Sequence, residues 1–68
     1  MSIYKTVELI GTSTESWEDA AASAVNAASE SLRDLRVAEV VQQDIEISDS
    51  GLVYRTKLSV SFKYEGGA

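Results

Sequence analysis

The feature that most constrains this chain is a long, unbroken alternation near its end. Leu52, Tyr54, Thr56, Leu58, Val60, Phe62 and Tyr64 share one parity; Val53, Arg55, Lys57, Ser59, Ser61, Lys63 and Glu65 share the other. Successive side chains of a strand point to opposite faces, so Leu52 to Tyr64 reads as one strand with an apolar and a polar face. Ser48-Asp49-Ser50-Gly51 precedes it and reads as a turn, with Gly51 free to take positive φ. Before the turn, Val37 to Ile47 forms a second strand whose alternation is imperfect, with Val40 and Val41 adjacent and Ile45 and Ile47 on one parity, so a bulge or a change of burial is expected partway along, at a position the spacing leaves open. These two strands make an antiparallel hairpin about twice as long as the usual strand of five or six residues.

The rest of the chain offers little to cover such a ribbon. Ile3 to Ile10 alternates and reads as a first strand, which Gly11-Thr12-Ser13 is expected to break. Ser16, with Asp19 three residues on, resembles a capping box, and Glu15, Glu18 and Asp19 suit the positive end of a helix dipole. Arg33 and Arg36 fall near its other end. Trp17, Ala21, Ala24, Val25, Ala28, Leu32 and Leu35 recur at spacings of three and four, one helical stripe. Most of that stripe is Ala, which lets a sheet approach closely but buries little area per residue. The expected architecture is α+β, a single β-α-β-β domain over residues 1–68, with Glu65-Gly66-Gly67-Ala68 as a frayed tail.

A domain of 68 residues is marginal alone and needs disulfides, a metal or association. The chain has no Cys and no His, so disulfides and thiolate or imidazole zinc sites are excluded. Association remains, and a homo-oligomer is expected in which neighbours cover the ribbon's overhang. A charge placed at Leu58 or Phe62 is expected to break that assembly.

The net charge of −5 argues against nucleic acid as a partner. No opening segment reads as a secretion signal, and the apolar run from Ala20 to Ser29 is too short for a membrane span, so a cytoplasmic location is expected. An enzyme is not expected: no Ser has a base in a recognisable pattern beside it, and no Gly-rich phosphate loop is present.

Gly11-Thr12-Ser13 after the first strand, the Ala-rich helix, Val37-Ala38-Glu39-Val40 and Tyr54-Arg55-Thr56 resemble the dodecin family in order and spacing. That resemblance implies a three-stranded antiparallel sheet partly wrapped round one helix, twelve copies of which close into a hollow shell. Many members store flavins, stacked in pairs near three-fold axes. Flavin-binding members carry Trp where Val37 stands and Gln where Arg55 stands. Val37 has no π face, and a lost aromatic stack is worth about 1 kcal/mol beyond area burial. Arg55 only donates, so it cannot reproduce an amide's paired donor and acceptor. Flavin is therefore not the expected ligand. Gly11-Thr12-Ser13, Ser16-Trp17-Glu18, Arg36-Val37-Ala38 and Gln43-Asp44 resemble a calcium-binding branch of the family, which implies calcium or another divalent cation instead. Twelve copies would carry about −60, which draws cations to an enclosed surface.

The candidate metal ligands are Glu39, Asp44, Glu46 and Asp49. Calcium takes six to eight hard oxygens, and Asp44 and Glu46 share a strand face. The spacing is not that of an EF-hand: with Asp44 as position one, the EF-hand glycine position is Asp49 and the final ligand position is Arg55. Any site must be assembled by folding or symmetry, and a merely solvated acidic face is the competing reading. Glu8, Glu15, Glu18 and Asp19 read first as strand and helix-cap residues. Trp17 reads as a packing residue that staples the helix to the sheet or to a neighbouring copy. Arg55, Lys57 and Lys63 read as salt-bridge partners of Glu39 or other acids, with the phosphates of a nucleotide-like ligand as the alternative. The functions left open are cation binding and storage, flavin binding through an altered pocket, and a structural or adaptor oligomer.

Overall fold

The computed structural model describes residues 2–64, so the tail reading for Glu65 to Ala68 lies outside the described residues. The order is β1 (Tyr4–Ser13), α1 (Trp17–Ser31), β2 (Leu35–Ser48) and β3 (Gly51–Lys63). Among the described residues the strands form one antiparallel sheet in the order β1-β3-β2. The alternating strand is thus the central one, and its apolar parity holds Thr56, Leu58 and Val60, all fully buried.

Gly11 does not break β1, contrary to the expectation. The strand continues through Gly11-Thr12-Ser13, with Gly11 opposite Thr56 and Ser13 opposite Tyr54. Here α1 crosses so closely that a Cβ at Gly11 would lie 2.0 Å from the Ala20 carbonyl oxygen and 3.0 Å from the Ala24 Cβ. Glycine at this position permits close helix-to-sheet contact while leaving the strand intact.

The N-terminus of α1 is as expected. Ser16 caps it, its hydroxyl accepting from the Asp19 N–H at 3.0 Å. The Ser13 hydroxyl extends the cap: it donates to Asp19 Oδ2 at 2.6 Å and accepts from the Glu15 N–H at 2.9 Å. The other end is shorter than the apolar spacing suggested. α1 stops at Ser31, Leu32 is its C-cap, and no cation lies in its last turn. Leu35 opens β2 instead of closing the helix stripe, and Asp34 makes the reversal at φ 59°. An aspartate tolerates that conformation better than most residues.

Ala20, Ala24 and Ala28 are the buried face of α1 and rest over β1 and β3. Leu58 and Val60 meet Ala24, with Val7, Leu9, Ala21, Val25 and Leu35 packed around them. Leu58 therefore belongs to the core of a single copy. A charge there tests folding, not association, which corrects that choice of position.

The predicted bulge occurs: the β2–β3 register shifts between Val40 and Gln42, and again between Leu35 and Val37. Beyond the helix the hairpin runs on uncovered, and the molecule extends 52 Å along its longest axis against 20 and 15 Å across. Ile45, Ile47 and Leu52 lie on the face that α1 occupies elsewhere, and Ile47 is 80% exposed. None of the described helices is long and apolar enough to cross a membrane.

Candidate functional site

The sheet face turned away from α1 gathers most of the polar residues singled out in the sequence. The register sets them in rows across the three strands. Thr12, Arg55 and Asp44 form one; Ile10, Lys57 and Gln42 the next; Glu8, Ser59 and Glu39 a third. A shallow depression of about 200 Å³ lies among Ile10, Gln42, Asp44, Arg55 and Lys57.

Its defining contact is a two-pronged ion pair. Arg55 Nε donates to Asp44 Oδ1 at 2.6 Å and a terminal nitrogen donates to Oδ2 at 2.9 Å. The guanidinium fork matches the carboxylate plane, which fixes orientation as well as charge. The hydrogen bond from Arg55, reinforced by its charge, holds the Asp44 carboxyl below its ordinary value of 3.8. Reciprocally, the hydrogen bond to Asp44, its charge and the field of Glu46 hold the guanidinium more firmly protonated than usual. The salt-bridge reading of Arg55 holds, and of the acids open to it across the hairpin the partner is Asp44. Lys57 pairs with Glu8 at 3.5 Å on the other side of β3.

Asp44 is also anchored through its backbone. The indole Nε1 of Trp17 donates to the Asp44 carbonyl at 3.0 Å, and the Trp17 ring meets Tyr54 edge-on at 5.2 Å and 76°. The buried Thr56 hydroxyl donates to the Trp17 carbonyl at 3.0 Å. Trp17 is therefore the staple between the start of α1 and the hairpin, as its place in the stripe suggested.

The other candidates stay apart within one copy. Val37 is 62% exposed and pairs with Ser61, whereas Arg55 pairs with Asp44. The two rows are six positions apart along β3, about 20 Å at strand rise, so Val37 and Arg55 do not meet in one copy. Glu39 faces Ser59, Glu46 faces Val53, and Asp49 sits in the turn. Among the described residues no three carboxylates come together as a metal cage. Salt bridges were expected for Arg55 and Lys57 without Asp44 and Glu8 being named as their acids. The first pairing was within reach, because counting outward from the Ser48–Gly51 turn sets Asp44 opposite Arg55 before the bulge intervenes.

Residues 3–65 match the Dodecin family model. The chain belongs to the dodecin family. Its relatives include a protein of Mycobacterium tuberculosis (strain ATCC 25618 / H37Rv) named calcium dodecin, 53% identical over 93% of this chain and 90% of that one. A crystal structure described as the calcium-chelating immunodominant antigen calcium dodecin, with a novel calcium-binding site, superimposes with a TM-score of 0.86 at 48% identity, covering 98% of this chain and 97% of that one. Dodecin from Streptomyces coelicolor superimposes with a TM-score of 0.90 at 31% identity, over 97% of this chain and 96% of that one. A point mutant of Thermus thermophilus dodecin also reaches 0.90, at 37% identity over 98% of this chain and all of that one. The β-α-β-β fold is thus the dodecin fold.

Proposed function

We propose that the chain assembles into a hollow dodecamer that binds and stores divalent cations, calcium foremost, and that it is not an enzyme. The observation that carries this reading is the state of Arg55. The residue that stands in the altered flavin position is engaged by both oxygens of Asp44 and presents no acceptor to a flavin edge. Val37, at the other altered position, offers no ring to stack on. The 53% identity to a protein named calcium dodecin points the same way.

Carboxylates suit calcium, but one copy of the chain does not supply a six- to eight-oxygen cage from its described residues. The donors that fit are Glu39, Glu46 and Asp49, contributed by more than one copy, together with backbone oxygens and water. Asp44 already accepts one hydrogen bond from Arg55 on each oxygen, which leaves it a weaker donor to a cation than the others. Sites of this kind bind weakly and depend on assembly, since each carboxylate recurs around a symmetry axis and its repulsion is relieved by a cation. Bound calcium would supply positive charge that joins copies. The chain's own part is to present carboxylates on a rigid ribbon.

Calorimetric titration of the assembled protein with calcium, set against magnesium, tests the proposal. Saturable calcium heat that falls in Glu46→Gln with Asp49→Asn is expected. No calcium heat at a protein concentration of about 0.1 mM, the scale of weak sites, contradicts it. A yellow purified protein, or quenching of added flavin fluorescence, would favour flavin storage instead.

A further inference from the structure

The chain has five aspartate or asparagine residues, Asp19, Asn26, Asp34, Asp44 and Asp49, and four of them are held in place. Asp19 Oδ2 accepts from the Ser13 hydroxyl at 2.6 Å, and the N–H that follows it, of Ala20, donates to the Ser16 carbonyl at 3.1 Å. Asn26 lies within α1, where the next N–H belongs to the helical ladder, and its carbonyl accepts from the Ser29 hydroxyl at 2.7 Å. Asp34 is followed by the bulky Leu35, which packs against the core, and its carbonyl accepts from the Lys63 N–H at 3.2 Å. Asp44 has both carboxylate oxygens on Arg55 and its carbonyl on Trp17. Asp49 stands apart. It and Ser50 are exposed in the turn between β2 and β3. Among the described residues, neither the Asp49 carboxylate nor the Ser50 N–H makes a hydrogen bond or ion pair. Gly51 follows with no side chain to crowd them, and the space a Cβ would fill there is open.

We propose that Asp49–Ser50 is a self-modification site, at which the aspartate isomerises to isoaspartate. The Ser50 amide nitrogen attacks Asp49 Cγ. A C–N bond forms, the nitrogen gives up its proton, and one carboxyl oxygen leaves as water, which closes a five-membered succinimide. Water then opens the ring. Cleavage of the bond to Cγ restores aspartate, whereas cleavage of the bond to the former main-chain carbonyl leaves the chain running through the side-chain carbons, as isoaspartate. The water lost on closure is regained on opening, so no oxidant, reductant or further co-reactant takes part. Closure needs a carboxyl free to swing, an unengaged N–H after it and a small residue carrying that N–H. Helices and strands deny the first two by fixing backbone and side chain in hydrogen bonds. A hairpin tip allows all three once it opens locally, and no helix covers this end of the ribbon. The contacts that such opening breaks are exposed ones: the Ser48–Ser50 hydroxyl pair at 3.1 Å and the Ser48 hydroxyl on the Gly51 carbonyl at 3.1 Å. The isomer lengthens the turn by one backbone carbon, so Ser48 and Gly51 can no longer close it in the same geometry. The reaction needs neither a cation nor a neighbouring copy and stands independently of the storage reading.

The test is peptide mapping of the purified protein aged in chelator, in mildly acidic buffer at physiological temperature, beside a sample aged unfolded in urea. Isoaspartate is located by electron-transfer fragmentation and by methyl incorporation from S-adenosylmethionine with an isoaspartyl methyltransferase. In the folded sample it is expected to accumulate at Asp49 ahead of Asp19, Asn26, Asp34 and Asp44, through an intermediate one water lighter. In urea Asp19, which is also followed by a small residue, is expected to catch up. Asp49→Glu should abolish the signal in that peptide, because the corresponding ring is six-membered and closes far more slowly. Ser50→Val, whose branched carbon shields the nitrogen, should lower the rate severalfold. Both side chains are exposed, and if either variant fails to fold, mapping of the unsubstituted chain decides alone. The proposal is overturned if Asp49 stays unmodified in the folded sample once Asp19 has converted in the unfolded one, if another of the five residues converts first in the folded sample, or if Ser50→Val leaves the rate unchanged.

Discussion

Gly11 shows how much one atom decides in this fold. Its α-hydrogen faces the backbone of α1, and the nearest obstacle to a methyl group is a carbonyl oxygen, not a side chain that could swing aside. Gly11→Ala is therefore expected to push the helix off the sheet and destabilise the protein by about 3 kcal/mol, read in urea unfolding. Trp17→Phe keeps most of the ring packing but loses the hydrogen bond to Asp44, and about 1 kcal/mol is the expected cost in the same measurement. The Asp44–Arg55 pair makes a prediction in pH. Because folding lowers the Asp44 carboxyl below 3.8, the contribution is complete above that pH and disappears as pH falls through the lower folded value. Carboxyl resonances followed by NMR should show Asp44 titrating below 3.8, and Arg55→Ala should raise that midpoint. Both side chains are partly exposed, at 42% and 37%, so salt should weaken the pair. The alternation along β3 made its buried parity readable from the residues alone. Gly11 was misread because glycine marks both strand breaks and close backbone approach, and only the crossing helix distinguishes them.

At the scale of elements, the start of α1 was legible and its end was not. A cap is a local pattern: Ser16 and Asp19 need only each other, and Ser13 reinforces them. Ser16→Ala should cost about 1 kcal/mol in thermal or urea unfolding. The end of α1 depends on Asp34 adopting positive φ and on Leu35 finding the sheet, neither of which spacing reveals. Leu32 and Leu35 kept the helical period while belonging to the C-cap and to the next strand. The imperfect alternation of β2 signalled a bulge or a change of burial without locating it, and the shifts lie between Val40 and Gln42 and between Leu35 and Val37. The candidate site was legible as residue types but not as partners. Glu8 and Lys57 come from strands far apart in sequence, so their pairing depends on β1 lying beside β3.

For the whole molecule, one thin helix covers part of a ribbon whose far end leaves Ile45, Ile47 and Leu52 open to solvent on the helix side. An exposed edge and apolar patch of this kind favour association with another copy. Ile47→Glu, at a side chain that is 80% exposed, should leave the fold of one copy intact but reduce the particle size, as judged by elution volume with circular dichroism as the control for folding. Cation binding is expected to be lost with it, since no single copy collects a cage of carboxylates from its described residues. The most direct test of the claim that neighbours complete burial is the mass of the purified chain by light scattering at micromolar concentration. Twelve copies of 7.3 kDa correspond to about 88 kDa, the expected result. A well-folded species of 7.3 kDa would contradict it.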